Sequence, residues 1–420
     1  MSQSILGQFG GVRRLHRCSN ANSHFTWLFV LALVLLAGCS SRYTTMDLAH
    51  LPCEVRYGSS NDNEGHVGKR FFYPLEFDKY GQLVYRQQAN VARDAVKDIL
   101  LSDSINKHVV VIVHGWDKPI GLAEHDFQDF ICRFRNIGME IYDLGNEAPN
   151  RNRLSNSDDL MVIGVFWPST VNPNLSDSVF KPFTYHLIRN RADSIASSVG
   201  NTLTSILTNA HLNRIGDSHI PQDENSLRPR LTVIGHSFGG RILRHVLDDE
   251  IASFSNKHSS LFDVYKEVNT ILLLAAMSPP SVEGIRTRLY NLNEYTKAKH
   301  RYQMYTVFSQ NDWANRFLYP LGEALSFNRP YCAIGACGES SIGKGIIPAS
   351  NDGEFCYKDM PPNDRFYNVD ASAFIFDHGD IYKGRVARLI WGLLENEDTA
   401  RRDKFPLCST LDGSGIWPDH

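Results

Sequence analysis

A serine between glycines, in Gly235-His236-Ser237-Phe238-Gly239, is the residue of this chain best placed to act as a nucleophile. A short apolar run, residues 231–234, precedes the motif and a helical pattern follows it, which is the strand–turn–helix context of a nucleophile elbow. The glycines permit a tight turn that Cβ atoms would obstruct, and the turn would hold the hydroxyl at the positive end of a helix. We therefore predict that Ser237 is a nucleophile, although G-x-S-x-G alone also occurs in ordinary turns.

Strand and helix patterns alternate along the chain around this motif. The predicted strands are residues 71–77, 82–86, 109–113, 161–166, 231–234, 271–276, 304–308 and 366–369. The first two form a predicted hairpin around Asp78-Lys79-Tyr80-Gly81. Alternation of this kind predicts an α/β fold, with a mostly parallel sheet and helices on both of its faces.

Five segments resemble motifs of the α/β-hydrolase fold. They are Val111-Ile112-Val113-His114-Gly115-Trp116, Phe166-Trp167-Pro168-Ser169, the serine motif, Ser309-Gln310-Asn311-Asp312 and Asp377-His378-Gly379-Asp380. Over residues 71–395 the chain is similar to a largely uncharacterised group of secreted bacterial lipase/esterase-like serine hydrolases. The resemblance implies a triad in the chain order Ser, Asp or Glu, His. It departs from many relatives at Met277-Ser278-Pro279-Pro280, where an acid would follow the sixth strand, so we expect the acid elsewhere.

The base of such a triad must lie within hydrogen-bonding reach of the serine and, in this chain order, must follow it. The histidines after Ser237 are His245, His258, His300, His378 and His420. Only His378 lies just past the last predicted strand, for which an extension to Phe376 is the alternative, and just before a helix, at the edge where the serine would emerge. We predict that His378 is the base, with a loop or helix-capping histidine as the alternative.

The acid is predicted to be Asp312, which follows the seventh strand by a short loop from which a carboxylate would reach His378. Asp370 and Asp380 are rivals, because a carboxylate near the last strand could also orient the ring. The alternative role for Asp312 is a helix N-cap, since Asp312-Trp313-Ala314-Asn315 could begin a helix.

An oxyanion hole is expected from two backbone N–H groups, that of Phe238 and one in the turn after residues 109–113. Trp116 is the preferred donor in this turn and Gly115 is the second choice. His114 is expected to be structural, because it precedes the serine in the chain.

Trp167 and Pro168 follow the strand 161–166 and are predicted to line the pocket wall, with core packing as the alternative. No C-x-x-C pair or cofactor fingerprint is present, so we expect neither a metal nor a cofactor. With 43 basic and 46 acidic residues and no long basic run, nothing indicates a nucleic-acid partner.

The N-terminus has the pattern of a secretory signal. Arg13, Arg14 and Arg17 precede an apolar run, residues 25–37, that is too short to span a bilayer comfortably. The sequence Leu36-Ala37-Gly38-Cys39 resembles the bacterial lipobox, which implies cleavage before Cys39 and lipid attachment to it. Ser40 after the cysteine implies the outer membrane, facing the periplasm. An uncleaved anchor helix is the alternative.

Six cysteines remain after removal of the signal and lipidation of Cys39, an even number that favours disulfides in an oxidising compartment. They are Cys53, Cys132, Cys332, Cys337, Cys356 and Cys408. At least one bridge is expected among Cys332, Cys337 and Cys356, which lie in a Gly-, Pro- and Cys-rich stretch. A zinc site is the alternative role for these cysteines, and the lack of a C-x-x-C pair weighs against it.

Five regions are therefore predicted. They are a signal peptide (1–38), a polar tether (39–70), a hydrolase domain (71–317 and 366–400), a lid-like insertion near the active site (318–365) and a C-terminal tail (401–420). The sequence favours an esterase or lipase-like serine hydrolase acting on a small-molecule or lipid ester. A thioesterase or amidase with the same triad, and a binding lipoprotein without turnover, remain alternatives.

Overall fold

Eight strands form one sheet in the structure, a computed structural model. It describes residues 72–101, 107–115, 126–127, 130–134, 160–170, 181–214, 229–255, 261–295, 301–326, 328–338, 346–351, 353 and 366–395. The strands are β1 Phe72–Glu76, β2 His108–Val113, β3 Leu160–Phe166, β4 Arg230–His236, β5 Glu267–Leu273, β6 Arg301–Phe308, β7 Ile346–Pro348 and β8 Phe366–Asp370. Their order is β1-β3-β2-β4-β5-β6-β8-β7, and every pairing is parallel.

Helices cover both faces of this sheet. They are α1 Arg86–Leu101, α2 Lys181–Arg214, α3 Phe238–Ser255, α4 Leu261–Val264, α5 Pro279–Tyr295, α6 Tyr319–Leu325, α7 Ile334–Cys337 and α8 Gly384–Glu395. Residues 126–127 and 130–134 are helical as well. The strands β2, β3 and β5 are buried along their whole length, and the near-continuous apolar sequences of β2 and β3 are typical of a sheet covered on both sides.

Two apolar cores result, one on each face. The first includes Val111 of β2, Ile195 of α2 and Leu243 of α3. The second includes Val110 of β2 and Trp391 of α8, whose ring stacks on Phe134 at 4.6 Å between centroids. Neighbouring residues of β2 thus point into opposite cores, and the predicted α/β fold with helices on both faces is confirmed.

The strand order reverses between β2 and β4. The chain leaves β2 toward β3 on one side, and it leaves β4 toward β5 on the other. At such a switch point the connections diverge and leave a crevice outside the carboxyl ends of the two strands. The carboxyl ends here are Val113, which is followed by His114 and Gly115, and His236, which is followed by Ser237.

The predicted hairpin near the start of the domain is only half present. Asp78 accepts hydrogen bonds from the N–H groups of Tyr80 and Gln82, each at 2.8 Å, and Gly81 has a φ of +77°. The second arm, 82–86, is not a strand: a single antiparallel bridge joins Phe77 and Leu83, and α1 begins at Arg86. β1 instead pairs with β3, so its sheet partner comes from far along the chain.

The described part of the lid-like stretch contains regular structure. α6, α7 and the edge strand β7 lie in it, and the sequence pattern had not indicated any of them. Ala333, Ile334 and Ala336 are buried, and the Ile334 N–H donates to the carbonyl of Met277 at 2.9 Å. This part is therefore anchored to the carboxyl edge of the sheet.

A disulfide joins Cys332 to Cys337, with their Cα atoms 6.1 Å apart. Cys356 lies outside the described residues, as do Cys39, the signal peptide, the tether and the C-terminal tail. No helix within the described ranges is long and apolar enough to cross a membrane.

Candidate active site

Ser237 lies in the turn between β4 and α3. Its φ is +52°, a left-handed conformation that is uncommon for a residue with a Cβ. The Ser237 N–H donates to the carbonyl of Leu273 at the end of β5, and its own carbonyl accepts from Gly240 and Ala276, each at 3.1 Å. These contacts hold the strained turn between two strand ends and the first turn of α3.

The two motif glycines are required by close backbone approach. A Cβ on Gly235 would lie 2.7 Å from the Cα of Gly240, and a Cβ on Gly239 would overlap the carbonyl oxygen of Val113. Strand β4, helix α3 and the end of β2 therefore meet with no room for a side chain. The predicted elbow context is present at the backbone level.

The turn after β2 lies directly against the serine. A Cβ on Gly115 would be 2.5 Å from the Cβ of Ser237 and 2.8 Å from Nδ1 of His236. Phe238, the other predicted oxyanion donor, is the first residue of α3 and is fully buried. Trp116, the preferred donor in the turn, lies outside the described residues, whereas Gly115 lies within them.

His114 and Trp167 fix the conformation of this turn. The Trp167 N–H donates to Nε2 of His114 at 3.0 Å, so Nε2 is an acceptor and the neutral ring carries its proton on Nδ1. Nδ1 then donates to the Gly115 carbonyl at 2.8 Å, and the Trp167 indole N–H donates to the His114 carbonyl at 2.9 Å. Trp167 is fully buried and stacks on His114. These contacts agree with a structural His114, and the wall role of Trp167 and Pro168 stays a prediction.

Asp312 precedes the lid-like stretch 318–365 and His378 follows it, and the fold brings their side chains together. Nδ1 of His378 is 2.8 Å from Oδ2 of Asp312. The Asp312 side chain is completely buried, and 17% of the His378 side chain is exposed. The predicted acid and base are thus hydrogen-bonded, with the acid shielded from solvent and the base at the surface of the site.

Asn315 is a further residue of this pair that the sequence reasoning missed. Its backbone N–H donates to Oδ1 of Asp312 at 3.0 Å and its side-chain amide donates to Oδ2 at 2.7 Å. The same amide donates to the carbonyl of Leu274 at 2.6 Å, which ties the acid to the end of β5. The only sequence signal was Asp312-x-x-Asn315 at a helix start, which predicts a cap but not a second contact to the carboxylate.

The rival acids have other partners. Asp370 accepts from the N–H of Ser372 at 2.9 Å and from its hydroxyl. Asp380 accepts from the N–H groups of Phe376 and Asp377 and pairs with Lys383 at 2.9 Å. Partial burial alone would raise the pKa of Asp380, but the Lys383 and backbone hydrogen bonds outweigh it and lower the pKa.

His378 begins a short 3₁₀ turn, His378–Tyr382, with a capping box at its start. Asp377 accepts from the His378 N–H at 2.7 Å, and the Asp377 N–H donates to the Asp380 carboxylate at 3.1 Å. The His378 ring lies 4.7 Å from that of His236, the residue before Ser237. The base therefore lies beside the serine turn.

A partly buried ion pair holds the start of α3 against α2. Arg241, in the first turn of α3, makes a bidentate pair with Asp193 of α2 at 2.7 and 3.0 Å. Burial by itself would raise the pKa of Asp193, but the hydrogen bonds and charges of His245 and Arg241 outweigh it and lower the pKa. Since α3 begins at the serine, this pair fixes the elbow relative to α2.

The fold and the site define the chain as an α/β protein with a serine–histidine–aspartate constellation at the switch point of a parallel sheet. Comparison with family models, curated proteins and solved structures finds no match. Among the described residues, no cluster of three or more acidic, histidine or cysteine side chains could hold a metal ion.

Proposed function

We propose that the chain is a serine hydrolase of the α/β-hydrolase type that cleaves carboxylic esters through Ser237, His378 and Asp312. The observation that carries the proposal is the buried Asp312–His378 hydrogen bond beside the strained Ser237 turn. A carboxylate on Nδ1 fixes the ring tautomer and leaves the other ring nitrogen to serve the serine. The position at the switch point of the sheet adds independent support, because ligands of such sheets bind there.

The proposed reaction has two acyl-transfer steps. Nε2 of His378 takes the hydroxyl proton as Ser237 Oγ attacks the ester carbonyl, and Asp312 stabilises the imidazolium that forms. The imidazolium gives the proton to the departing alcohol, and an acyl-enzyme remains on Ser237. Water then attacks the acyl carbonyl as His378 takes its proton, and the imidazolium returns this proton to Ser237 Oγ as the acid departs. The N–H groups of Phe238 and of the turn after β2, at Trp116 or Gly115, are the proposed oxyanion donors.

The nucleophile is tested with a fluorophosphonate probe on the full chain. Wild-type protein should be labelled, and Ser237→Ala should lose the label because the probe needs an activated serine. Turnover of a nitrophenyl ester should fall on the order of 10⁴-fold or more, because the triad residues act together. Ser169→Ala is a matched control, since Ser169 is also buried beside the switch point; it should keep the label. Labelling that survives in Ser237→Ala contradicts the assignment.

The same experiment separates the alternatives. A binding lipoprotein without turnover would show neither labelling nor hydrolysis in the wild type. Esters, thioesters and amides of graded acyl length would then distinguish the chemical variants of a working site, because one triad can serve all three. The ester is our proposal, since its leaving group needs less activation than that of an amide and the sequence resemblance implies an esterase or lipase-like enzyme.

A further inference from the structure

The helical segment that follows Asp312 exposes a row of large apolar side chains, and its buried side carries two polar residues next to Leu318 and Tyr319. Residues 313–325 comprise Trp313, a π-helical stretch Ala314–Leu318 and α6. Four large apolar residues recur every fourth position and are between 47% and 57% exposed: Trp313, Phe317, Leu321 and Leu325. We call these four residues the apolar ridge. The buried side of the segment includes Asn315 and Glu323.

The polar residues inside fix the orientation of the segment. Asn315 is bound to Asp312 and Leu274, as described above. Glu323 accepts a 2.6 Å hydrogen bond from the Tyr185 hydroxyl and pairs with Arg189 at 3.4 Å. A Cβ on Gly322 would overlap the Tyr185 ring. Rotating the ridge inward would break these buried polar contacts. The contacts therefore keep the ridge facing outward.

The exposed charges on the segment itself and on the residues just after it are positive. Arg316 and Arg329 are exposed, and the only acidic residue between 313 and 331 is the buried Glu323. The guanidinium of Arg316 lies 5.8 Å from the centre of the Phe317 ring. Tryptophan, phenylalanine and leucine next to arginine form the combination that partitions into the interface of an anionic bilayer.

The ridge adjoins the site. Arg316 donates to the carbonyl of Gln310 at 3.0 Å, and Gln310 in turn donates to the Ser372 hydroxyl at 2.9 Å. The loop that carries Ser372 continues to Phe376, which is 60% exposed and lies two residues before His378. Exposed apolar side chains therefore lie next to both loops that carry the proposed acid and base, Asp312 and His378.

We infer that the apolar ridge docks the protein on an anionic bilayer surface and presents the Ser237 site to esters held in that bilayer. The docking rests on the exposed residues alone, and the choice of lipid esters as substrates rests on the proposed function. An acyl anchor at Cys39 would not determine which face meets the membrane, because the chain from Cys39 to Phe72 can extend on the order of 100 Å. The ridge supplies that orientation.

Docking is tested by quenching of tryptophan emission in the full chain. Vesicles of phosphatidylglycerol with brominated acyl chains should quench a component that disappears in Trp313→Phe. Phosphatidylcholine vesicles should quench this component less. Arg329→Gln should reduce the difference in quenching between the two lipids, whereas Arg93→Gln, on α1, should leave that difference unchanged. Equal quenching in wild type and Trp313→Phe overturns the inference, because the signal then comes from another tryptophan.

Presentation of the substrate is tested with two esters. Phe317→Ser with Leu321→Ser should reduce turnover of a long-chain ester in phosphatidylglycerol vesicles by about tenfold, since two apolar contacts are lost. Turnover of a water-soluble short-chain ester should not change. Tyr290→Ser removes another exposed aromatic, on α5, and should affect neither ester. An equal fall on both esters overturns the presentation role.

Failure of docking and failure of the proposed chemistry give different results. Ser237→Ala should keep the Trp313 quenching while it loses turnover, so a catalytically silent protein would still show docking. If the ridge pairs with a second copy of the chain, sedimentation will show a dimer that Phe317→Ser with Leu321→Ser dissociates. Such a dimer without Trp313 quenching overturns membrane docking.

Discussion

Asp312 binds two parts of the structure at once. Oδ1 receives the Asn315 N–H at the start of a helical segment, and Oδ2 receives the Asn315 amide and faces His378. A buried carboxylate with these partners has its position set before any substrate arrives. Such preorganisation is worth more than the hydrogen bonds alone, because no reorganisation is needed during the reaction. The helix-capping alternative for Asp312 is therefore compatible with its proposed catalytic role.

Replacing Asp312 with asparagine should keep the fold and slow the reaction. The amide has nearly the same shape, but it cannot stabilise the imidazolium form of His378. Ester turnover should fall on the order of 10²–10⁴-fold. Initial rates and the thermal unfolding midpoint, measured on the same preparation, separate the loss of chemistry from the loss of structure.

Asp370→Asn is the matched control, because Asp370 is the last residue of β8 at this edge but binds Ser372. Its turnover should stay within a few-fold of wild type. A slow Asp370→Asn beside a normal Asp312→Asn would reassign the acid.

At the scale of single residues, the sequence predicted a triad of Ser237, Asp312 and His378 but left Asp370 and Asp380 as rival acids. Ser237, His378 and Asp312 follow from their places after predicted strands. Three carboxylates follow strand ends at the same edge, so chain position could not select among them. The structure distinguishes them by the contact to His378. Asn315 was missed because its contacts depend on how the helix after Asp312 is directed, which is a tertiary property.

At the scale of the element, the elbow depends on close packing of three backbones. Gly239→Ala should destabilise the fold, because the added Cβ would overlap the Val113 carbonyl. Gly284→Ala is the matched control in α5, where a Cβ meets nothing within 4 Å. The control should raise the free energy of unfolding by about 0.5–1 kcal/mol through helix propensity. Denaturant unfolding measures both, and a neutral Gly239→Ala would contradict the described elbow.

The Cys332–Cys337 bridge encloses a buried element. α7 lies between the two cysteines, and its Gly335 carbonyl accepts from the Ser309 N–H at 3.0 Å, three residues before Asp312. We expect the double variant Cys332→Ser, Cys337→Ser to lower kcat on a short ester before the sheet unfolds, because α7 supports the acid loop. Steady-state kinetics and far-UV circular dichroism across a mild temperature series measure the two effects.

The alternative is that the bridge shapes the entrance of the site, which predicts a change in chain-length preference. If the double variant changes preference between short and long esters with kcat intact, the entrance role holds and support of the acid loop is wrong.

The elements that the sequence failed to predict are those whose stability is tertiary. β7 has three residues and pairs only at the sheet edge, so it has no pattern of its own. The second hairpin arm was predicted from a turn that exists, but helix formation from Arg86 prevents a strand there. The long buried strands were predictable because burial on both faces demands a continuous apolar run.

At the scale of the molecule, the two ends of the sheet have different roles. The carboxyl ends hold the candidate site. At the opposite end, Arg230 of β4 pairs with Glu267 of β5 at 2.9 Å, and His108 begins β2 beside them. His108 is buried, and Nε2 is 2.9 Å from the Thr232 hydroxyl. Burial, with smaller effects from Arg230 and Lys266, lowers the pKa of His108 to about 3.

This shift makes stability depend on pH. Below a pH of about 6.5 the unfolded chain binds a proton on His108 that the folded protein does not bind until about pH 3. The free energy of unfolding should therefore fall as the pH drops through this window. At pH 5 the loss relative to neutral pH is about 2 kcal/mol from this residue.

Urea unfolding of wild type and His108→Gln at pH 7 and pH 5 isolates this part of the dependence. Carboxylates titrate in both proteins and cancel in the difference, so the variant should lose about 2 kcal/mol less than wild type over the interval. His186→Gln, at an exposed position on α2, is the control and should keep the wild-type slope. Equal slopes in wild type and His108→Gln would show that His108 takes up its proton in the folded state, and that this end of the sheet is open to water.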